Sequence, residues 1–278
     1  MKIALIQQRA SRDKRANAAR GLANLEAAAK GGARLACYAE LAFEWFHPQH
    51  PATGDVRSLA EPLDGPLVRA FRDKAREFGI VVVLNLFERQ GDDTFDSSPV
   101  IDADGTLLGV TRMVHITEYA CFHEQGYYTP GDQGAPVFRT RAGNVGVAIC
   151  YDRHFPEYMR ALALAGADLV VVPQAGAVGE WPEGLYEAEM RVAAFQNGYY
   201  VALCNRIGRE DRLDFAGESF VCAPDGAVIA RAGQGSEEIL YAEIDPASAA
   251  ASHARQLFLK HRRPELYGDW LTRGLVAP

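Results

Sequence analysis

Short apolar runs alternate with Ala- and Leu-rich stretches of helical spacing, and this alternation restricts the fold more than any other feature of the chain. Lys2 to Gln7 reads as a strand. Arg15 to Lys30 has charges spaced for a helix, and Gly31-Gly32 stops it. Leu35 to Tyr38 is a short strand that runs into Glu40. Leu67 to Phe78 is a helix with Pro66 near its start and Gly79 at its end. Ile80 to Phe87 is a nearly continuous apolar strand. Ser97 to Ile101 and Thr106 to Val110 flank a hairpin turn, Asp102-Ala103-Asp104-Gly105. The second half repeats the plan, with strands over Val145 to Ile149, Asp168 to Val172 and Tyr199 to Cys204. Helices are expected over Pro156 to Ala165 and Pro182 to Asn197. Ser219 to Cys222 and Ala227 to Arg231 form a second hairpin around Pro224-Asp225-Gly226, and Ile239 to Ile244 is a last strand. Two such halves predict an α/β fold of two sheets face to face with helices outside. No linker-like stretch interrupts them, so residues 1–278 read as one domain, with 247–278 as a polar C-terminal tail.

Composition narrows the partners. The net charge is -7 and no basic block stands out, which argues against nucleic acid. No apolar run reaches the roughly 18 residues of a transmembrane helix, so no membrane partner is expected. Met1 to Ile6 is too short for a signal peptide. Five scattered cysteines form no Cys-x-x-Cys pair, so neither a zinc site nor a disulfide framework is expected. A reducing cytoplasm fits this usage.

Three residues carry candidate chemistry. Cys150 closes the apolar run Val145 to Ile149, and a charged segment with Pro156 follows. Ligands of open α/β sheets bind at the carboxyl ends of strands, where a thiol beside a base can act as a nucleophile. Buried cysteines also simply fill cores. Glu40 is flanked by apolar residues in Cys37-Tyr38-Ala39-Glu40-Leu41-Ala42-Phe43. Burial would raise its pKa and suit it to general base work, whereas a Glu at a strand end is ordinarily a surface residue. Glu124 sits in an aromatic-rich loop, Phe122 to Asp132, and read alone is a solvated loop residue.

Together these segments resemble the nitrilase superfamily of carbon–nitrogen hydrolases. The resemblance covers nearly the whole chain. It is carried by Ala39-Glu40, Arg112 to His115, Phe122 to Asp132 and Gly146 to Glu157. Gly166-Ala167-Asp168, Arg191-Val192-Ala193 with Asn197, Asn205-Arg206-Ile207-Gly208 and Gly217-Glu218-Ser219 follow in the same order. It implies a four-layer α-β-β-α sandwich that pairs into homodimers or larger homo-oligomers. It implies Cys150 as nucleophile, Glu40 as general base, Glu124 as a second glutamate and the Tyr151 backbone N–H as an oxyanion donor. No metal or organic cofactor is implied.

One family residue is missing. The lysine of the Arg-Lys-x-His segment is replaced, because this chain reads Arg112-Met113-Val114-His115, and no lysine lies between Lys74 and Lys260. Met has neither charge nor donor. Three readings follow: a slow or binding-only relative, an active enzyme altered to trap substrate, or a donor supplied by Arg112 or His115. Strand alternation points Arg112 to the opposite side. The run Cys150 to Pro156 is similar to that of N-carbamoyl-amino-acid hydrolases, especially the β-ureidopropionase branch. That implies hydrolysis of a small N-carbamoyl amine or acid to amine, ammonia and carbon dioxide, with aliphatic amide hydrolysis as the alternative. Arg153, with His154 beside it, is a candidate for a substrate carboxylate, and Arg191 is a second. An internal pair with Asp152 or Glu157 for Arg153, and with Glu187 for Arg191, fits equally well. Trp181 and Tyr186 either line the pocket or pack. Thiol reactivity separates enzyme from binding protein: a low-pKa Cys150 alkylates fast near neutral pH, whereas a dead pocket leaves it near the ordinary rate.

Overall fold

The computed structural model describes residues 1–273. Residues 274–278 of the expected tail lie outside the described residues.

Alternation becomes two sheets. The first has seven strands, in the spatial order Glu238–Glu243, Lys2–Gln7, Leu35–Tyr38, Val81–Val83, Asp93–Ile101 and Leu86–Gln90, with Leu107–Arg112 also paired to Asp93–Ile101. The second runs Val228–Arg231, Phe220–Cys222, Tyr200–Asn205, Leu169–Gln174, Gly143–Val147 and Val137–Thr140. Leu35–Tyr38 pairs in parallel with Lys2–Gln7 and with Val81–Val83, and Gly143–Val147 pairs in parallel with Leu169–Gln174. The central strands of the two sheets face each other.

The pleat sorts side chains between layers. Val171 and Ala202 point into the core between the sheets, where Leu5, Cys37 and Val83 meet them. Their neighbours Val170, Val172 and Val201 point outward, onto Leu162, Met190 and Ala194 of the helices Pro156–Leu164 and Leu185–Asn197. Helices Lys14–Lys30 and Pro66–Phe78 cover the first sheet. Asp13 caps the first of these by accepting from the Arg15 and Ala16 N–H groups, and Gly79 ends the second at φ +62°. The result is an α-β-β-α sandwich.

Three sequence expectations need correction. Ile80 to Phe87 is not one strand: it breaks into Val81–Val83 and Leu86–Gln90 around Asn85. Asn85 is fully buried and uses its amide on Leu41, Asp96 and Ser98, contacts that a straight apolar strand would not allow. The strand before Cys150 is Gly143–Val147, so Ala148 and Ile149 connect it to the cysteine. The tail is not featureless. It contains helical segments at Pro246–Ala250, Ala254–Phe258 and Pro264–Leu271. Buried Ala249 and Ala254, with Arg255 donating to the Gly198 carbonyl, dock its first part on the body.

Candidate active site

The two strand–loop junctions deliver Glu40 and Cys150 to the same place. Glu40 lies two residues beyond Leu35–Tyr38, and Cys150 three beyond Gly143–Val147. Both strands are parallel to a neighbour, so both residues emerge at carboxyl ends. Each junction bends the chain sharply. Leu41 has φ +44° and Cys150 has φ +40°, an uncommon region for residues with a Cβ. Such strain is held only where the surroundings fix it, and it gathers at functional sites.

Arg206 does much of that fixing. It is fully buried and donates to the carbonyls of Glu40, Leu41 and Glu44, pairs with Glu210 and covers the Phe215 ring. From the other side Asn85 accepts the Leu41 N–H at 2.7 Å. Arg206→Ala therefore leaves Glu210 buried and unpaired. The expected loss is about 3–5 kcal/mol of folding stability, read as a lower urea midpoint.

Three buried carboxyl groups cluster here, and two of them, Glu40 and Glu124, act on the thiol. Glu40 and Glu124 are both 0% exposed, and Asp96 is 1% exposed. Neither Glu40 oxygen has a partner at proper hydrogen-bond geometry, although the Cys150 thiol and the Asp96 carboxyl lie close enough to bear on its titration. Burial, then the neighbouring Glu124 charge, pushes the Glu40 pKa up to about 8. Burial and the Glu40 charge hold Asp96 well above the usual carboxylate range. Glu124 is raised by burial and by Asp96; it accepts one N–H, from Thr117. The thiol of Cys150 is also raised, first by burial and then by the Glu40 and Glu124 charges, with Arg153 opposing. The thiol is thus not of the low-pKa kind: buried and facing carboxylates, it keeps its proton although Arg153 opposes.

Met113 lies beside this acid cluster. Ser97 and Arg112 are cross-strand partners, and the Met113 N–H donates to the Asp96 carbonyl at 2.9 Å. Met113 therefore lies directly across from Asp96, on the same face of the sheet. Its side chain is buried in the core that also contains Cys150. Arg112 points the other way, as alternation requires, and grips Glu88 through two hydrogen bonds. His115 stacks on Phe155 and bonds Asp152 at 2.7 Å. Neither hydrogen-bonds Cys150.

The outer candidates divide. Arg153 is buried, bonded to Gln174 and Glu189, and lies over the Tyr186 ring; its acid is neither Asp152 nor Glu157. His154 shares Glu189. Arg191 stands apart, bonded to the Gly226 carbonyl and to Glu187. Trp181 and Tyr186 line a cavity of about 460 Å³ whose lining includes Asn205, Glu218 and Arg231 but not Cys150, Glu40 or Glu124. Glu180 receives the hydroxyls of Tyr119 and Tyr186.

The pattern of the Carbon-nitrogen hydrolase family matches residues 2–254. The chain belongs to the carbon–nitrogen hydrolase family. It is 32% identical to N-carbamoylputrescine amidase of Solanum lycopersicum, over 97% of this chain and 94% of that one. A carbon-nitrogen hydrolase from Helicobacter pylori G27 superposes with a TM-score of 0.89 at 28% identity, covering 99% of each chain. A variant of the amidase from Nesterenkonia sp. AN1, TM-score 0.81 and 28% identical over 97% of this chain and 96% of that one, carries the acetamide moiety of fluoroacetamide on its active-site cysteine. The nitrilase-type sandwich expected from the sequence is borne out, and the carbon–nitrogen hydrolase acts on amide-type bonds.

Sequence reasoning missed Asp96 and Asn85 in this hydrolase, and gave no role to Tyr128 and Arg206 within the segments that carry the resemblance. Asp96 lay just outside the expected strand at Ser97; the real strand, Asp93–Ile101, makes it a carboxylate inside an apolar sheet, which is the signal that exposes it.

The raised acids predict a pH dependence of stability. Glu40 binds its proton up to about pH 8 in the folded chain, against an ordinary value of 4.5. Between those values the folded state holds more protons than the unfolded one. Stability is therefore full at the acid end of that window and falls as pH rises through it. One proton contributes a slope of about 1.4 kcal/mol per pH unit. Asp96 and Glu124 act in the same direction. Urea titrations from pH 5 to pH 8 check this, and Asp96→Asn should flatten the slope.

Proposed function

We propose that this chain hydrolyses N-carbamoyl amines or acids through Cys150, giving amine, ammonia and carbon dioxide. The observation that carries the reading is the Cys150 thiol, strained at φ +40° and facing the buried carboxyl groups of Glu40 and Glu124. Glu40 takes the thiol proton, sulfur attacks the carbonyl carbon, and a thioester-type intermediate forms as Glu40 protonates the leaving nitrogen. Glu40 then activates water, and Glu124 holds the second carboxyl position. The Tyr151 backbone N–H is assigned to the oxyanion. Met113 withholds the second donor, so turnover of neutral amides is slow and rises with pH toward the Glu40 pKa. The likeness to N-carbamoylputrescine amidase supports the N-carbamoyl class, and the amidase from Nesterenkonia sp. AN1 supports aliphatic amides as the second reading.

We assign the chain to one hydrolase domain over residues 1–278, with 247–278 as its C-terminal tail. No helix of the described residues is long and apolar enough to cross a membrane, and all five cysteines are free, as a cytoplasmic protein would keep them. Val192 and Phe195 expose apolar surface on the outer face of Leu185–Asn197, which supports pairing of copies there. Ammonia release from a panel of N-carbamoyl compounds and simple amides tests the reading. Release from N-carbamoyl compounds ahead of simple amides supports it, and the reverse order favours an aliphatic amidase.

A further inference from the structure

Glu40, Asp96 and Glu124 are buried together with no basic side chain among them. The nearest guanidinium groups are engaged elsewhere, that of Arg206 on main-chain carbonyls and Glu210, that of Arg153 on Gln174 and Glu189. Met113, across from Asp96, adds an apolar wall. Buried polar groups are nearly always paired. Yet both oxygens of Glu40 and one each of Asp96 and Glu124 have no partner at proper hydrogen-bond geometry, with only the Cys150 thiol and the Asp96 carboxyl close to Glu40. A side chain outside the acid cluster shows the same deficit. Tyr128 is 5% exposed, its hydroxyl is unpartnered, and it feels the charges of Asp96, Glu40 and Glu124. A ligand that satisfies this set must bring several N–H donors and a positive charge.

We propose that this site hydrolyses amidinium and guanidinium groups, the substrate's own cation standing in for the missing basic side chain. This deepens, and rests on, the reading of Cys150 and Glu40 as nucleophile and base. A planar amidinium presents paired N–H groups in the geometry that carboxylates accept bidentately. Its charge also draws protons off Glu40 and Cys150, because a nearby cation favours the ionised forms. The substrate then activates the base that attacks it.

The electron count explains why a lysine is dispensable here. Attack on a neutral amide creates an oxyanion, which needs donors. An amidinium carbon is positive at the start. Glu40 takes the thiol proton, the sulfur–carbon bond forms, and the C=N electrons move onto nitrogen, giving a neutral adduct. Glu40 returns the proton to one nitrogen, the C–N bond breaks, and ammonia leaves. The remaining nitrogen lone pair regenerates the cation as a thioimidate, or as an isothiouronium from a guanidine. Water gives a proton to Glu40 and adds to that carbon. The C–S bond then breaks, and the hydroxyl proton returns to sulfur. Ammonia carries off the proton left on Glu40. The products are an amide from an amidine, or a urea from a guanidine, with ammonium, and no oxyanion is formed at the attack on substrate.

The test uses matched pairs, acetamidine with acetamide and methylguanidine with methylurea, and reads ammonia release. The cationic member of each pair should be turned over with a kcat/KM about 10–100-fold higher, the effect of pairing buried charged groups. Met113→Lys should reverse the order. Independently, acetamidinium should raise the thermal transition of Cys150→Ala, and adding Asp96→Asn should weaken that shift. Absence of turnover of both cationic members overturns the proposal. Turnover of the neutral members then decides the hydrolase reading separately. If the neutral members react and the cations do not, that reading stands. If nothing reacts and acetamidinium leaves the thermal transition of Cys150→Ala unmoved, both readings fall.

Discussion

Cys150→Ala should abolish ammonia release from every substrate the chain accepts, lowering kcat by about 10⁴–10⁶-fold. The expectation follows from geometry rather than from the residue type alone. Four further cysteines are present, and three of them, Cys37, Cys204 and Cys222, are buried within the sheets. Cys150 is held at a strained turn with Glu40 and Glu124 facing its thiol. Removing one sulfur atom from a nearly buried site leaves the packing intact, so the thermal transition should move little while activity disappears. An equal loss from Cys121→Ala, with Cys150→Ala still active, would move the nucleophile elsewhere.

Met113→Lys should raise kcat/KM for amides and N-carbamoyl compounds by about 10²–10³-fold, the ordinary worth of one oxyanion donor. Lysine at this position would lie across from Asp96 and within reach of the other buried acids. Its ammonium would restore the missing charge. The Glu40 pKa should fall from about 8, and the thiol should fall with it, because a nearby cation favours both anions. The rising limb of the pH–rate profile should therefore shift to lower pH in the variant. An unchanged rate and profile would mean that position 113 does not bear on the reacting atoms.

Much of this architecture was legible in the sequence. The strands Lys2–Gln7 and Leu35–Tyr38 appear where their apolar runs begin and end, because burial on both faces leaves no polar residue to blur the boundary. Helix starts and stops followed Pro66, Gly79 and Pro156. The convergence of Glu40, Glu124 and Cys150 needed the family resemblance, since nothing local brings residues so far apart in the chain together. Asp96 escaped because it reads as a polar residue just before a strand, and Asn85 because it is one polar residue inside an apolar run; only the pairing of Asp93–Ile101 with Leu86–Gln90 and Leu107–Arg112, and the break between Val81–Val83 and Leu86–Gln90, shows their places in the core. The thiol pKa was not legible in the sequence, because burial and the facing carboxyl groups set it.

The central claim is that carbon–nitrogen bond cleavage passes through Cys150. It is tested most directly by acid-quenching the protein in the first turnovers and weighing the peptide that contains Cys150. The account predicts that this peptide alone gains the mass of the substrate's acyl or amidino group, and that the mass returns to its starting value when substrate is exhausted. Substrate consumed at full rate with the Cys150 peptide never modified, and with Cys150→Ala just as active, would contradict it.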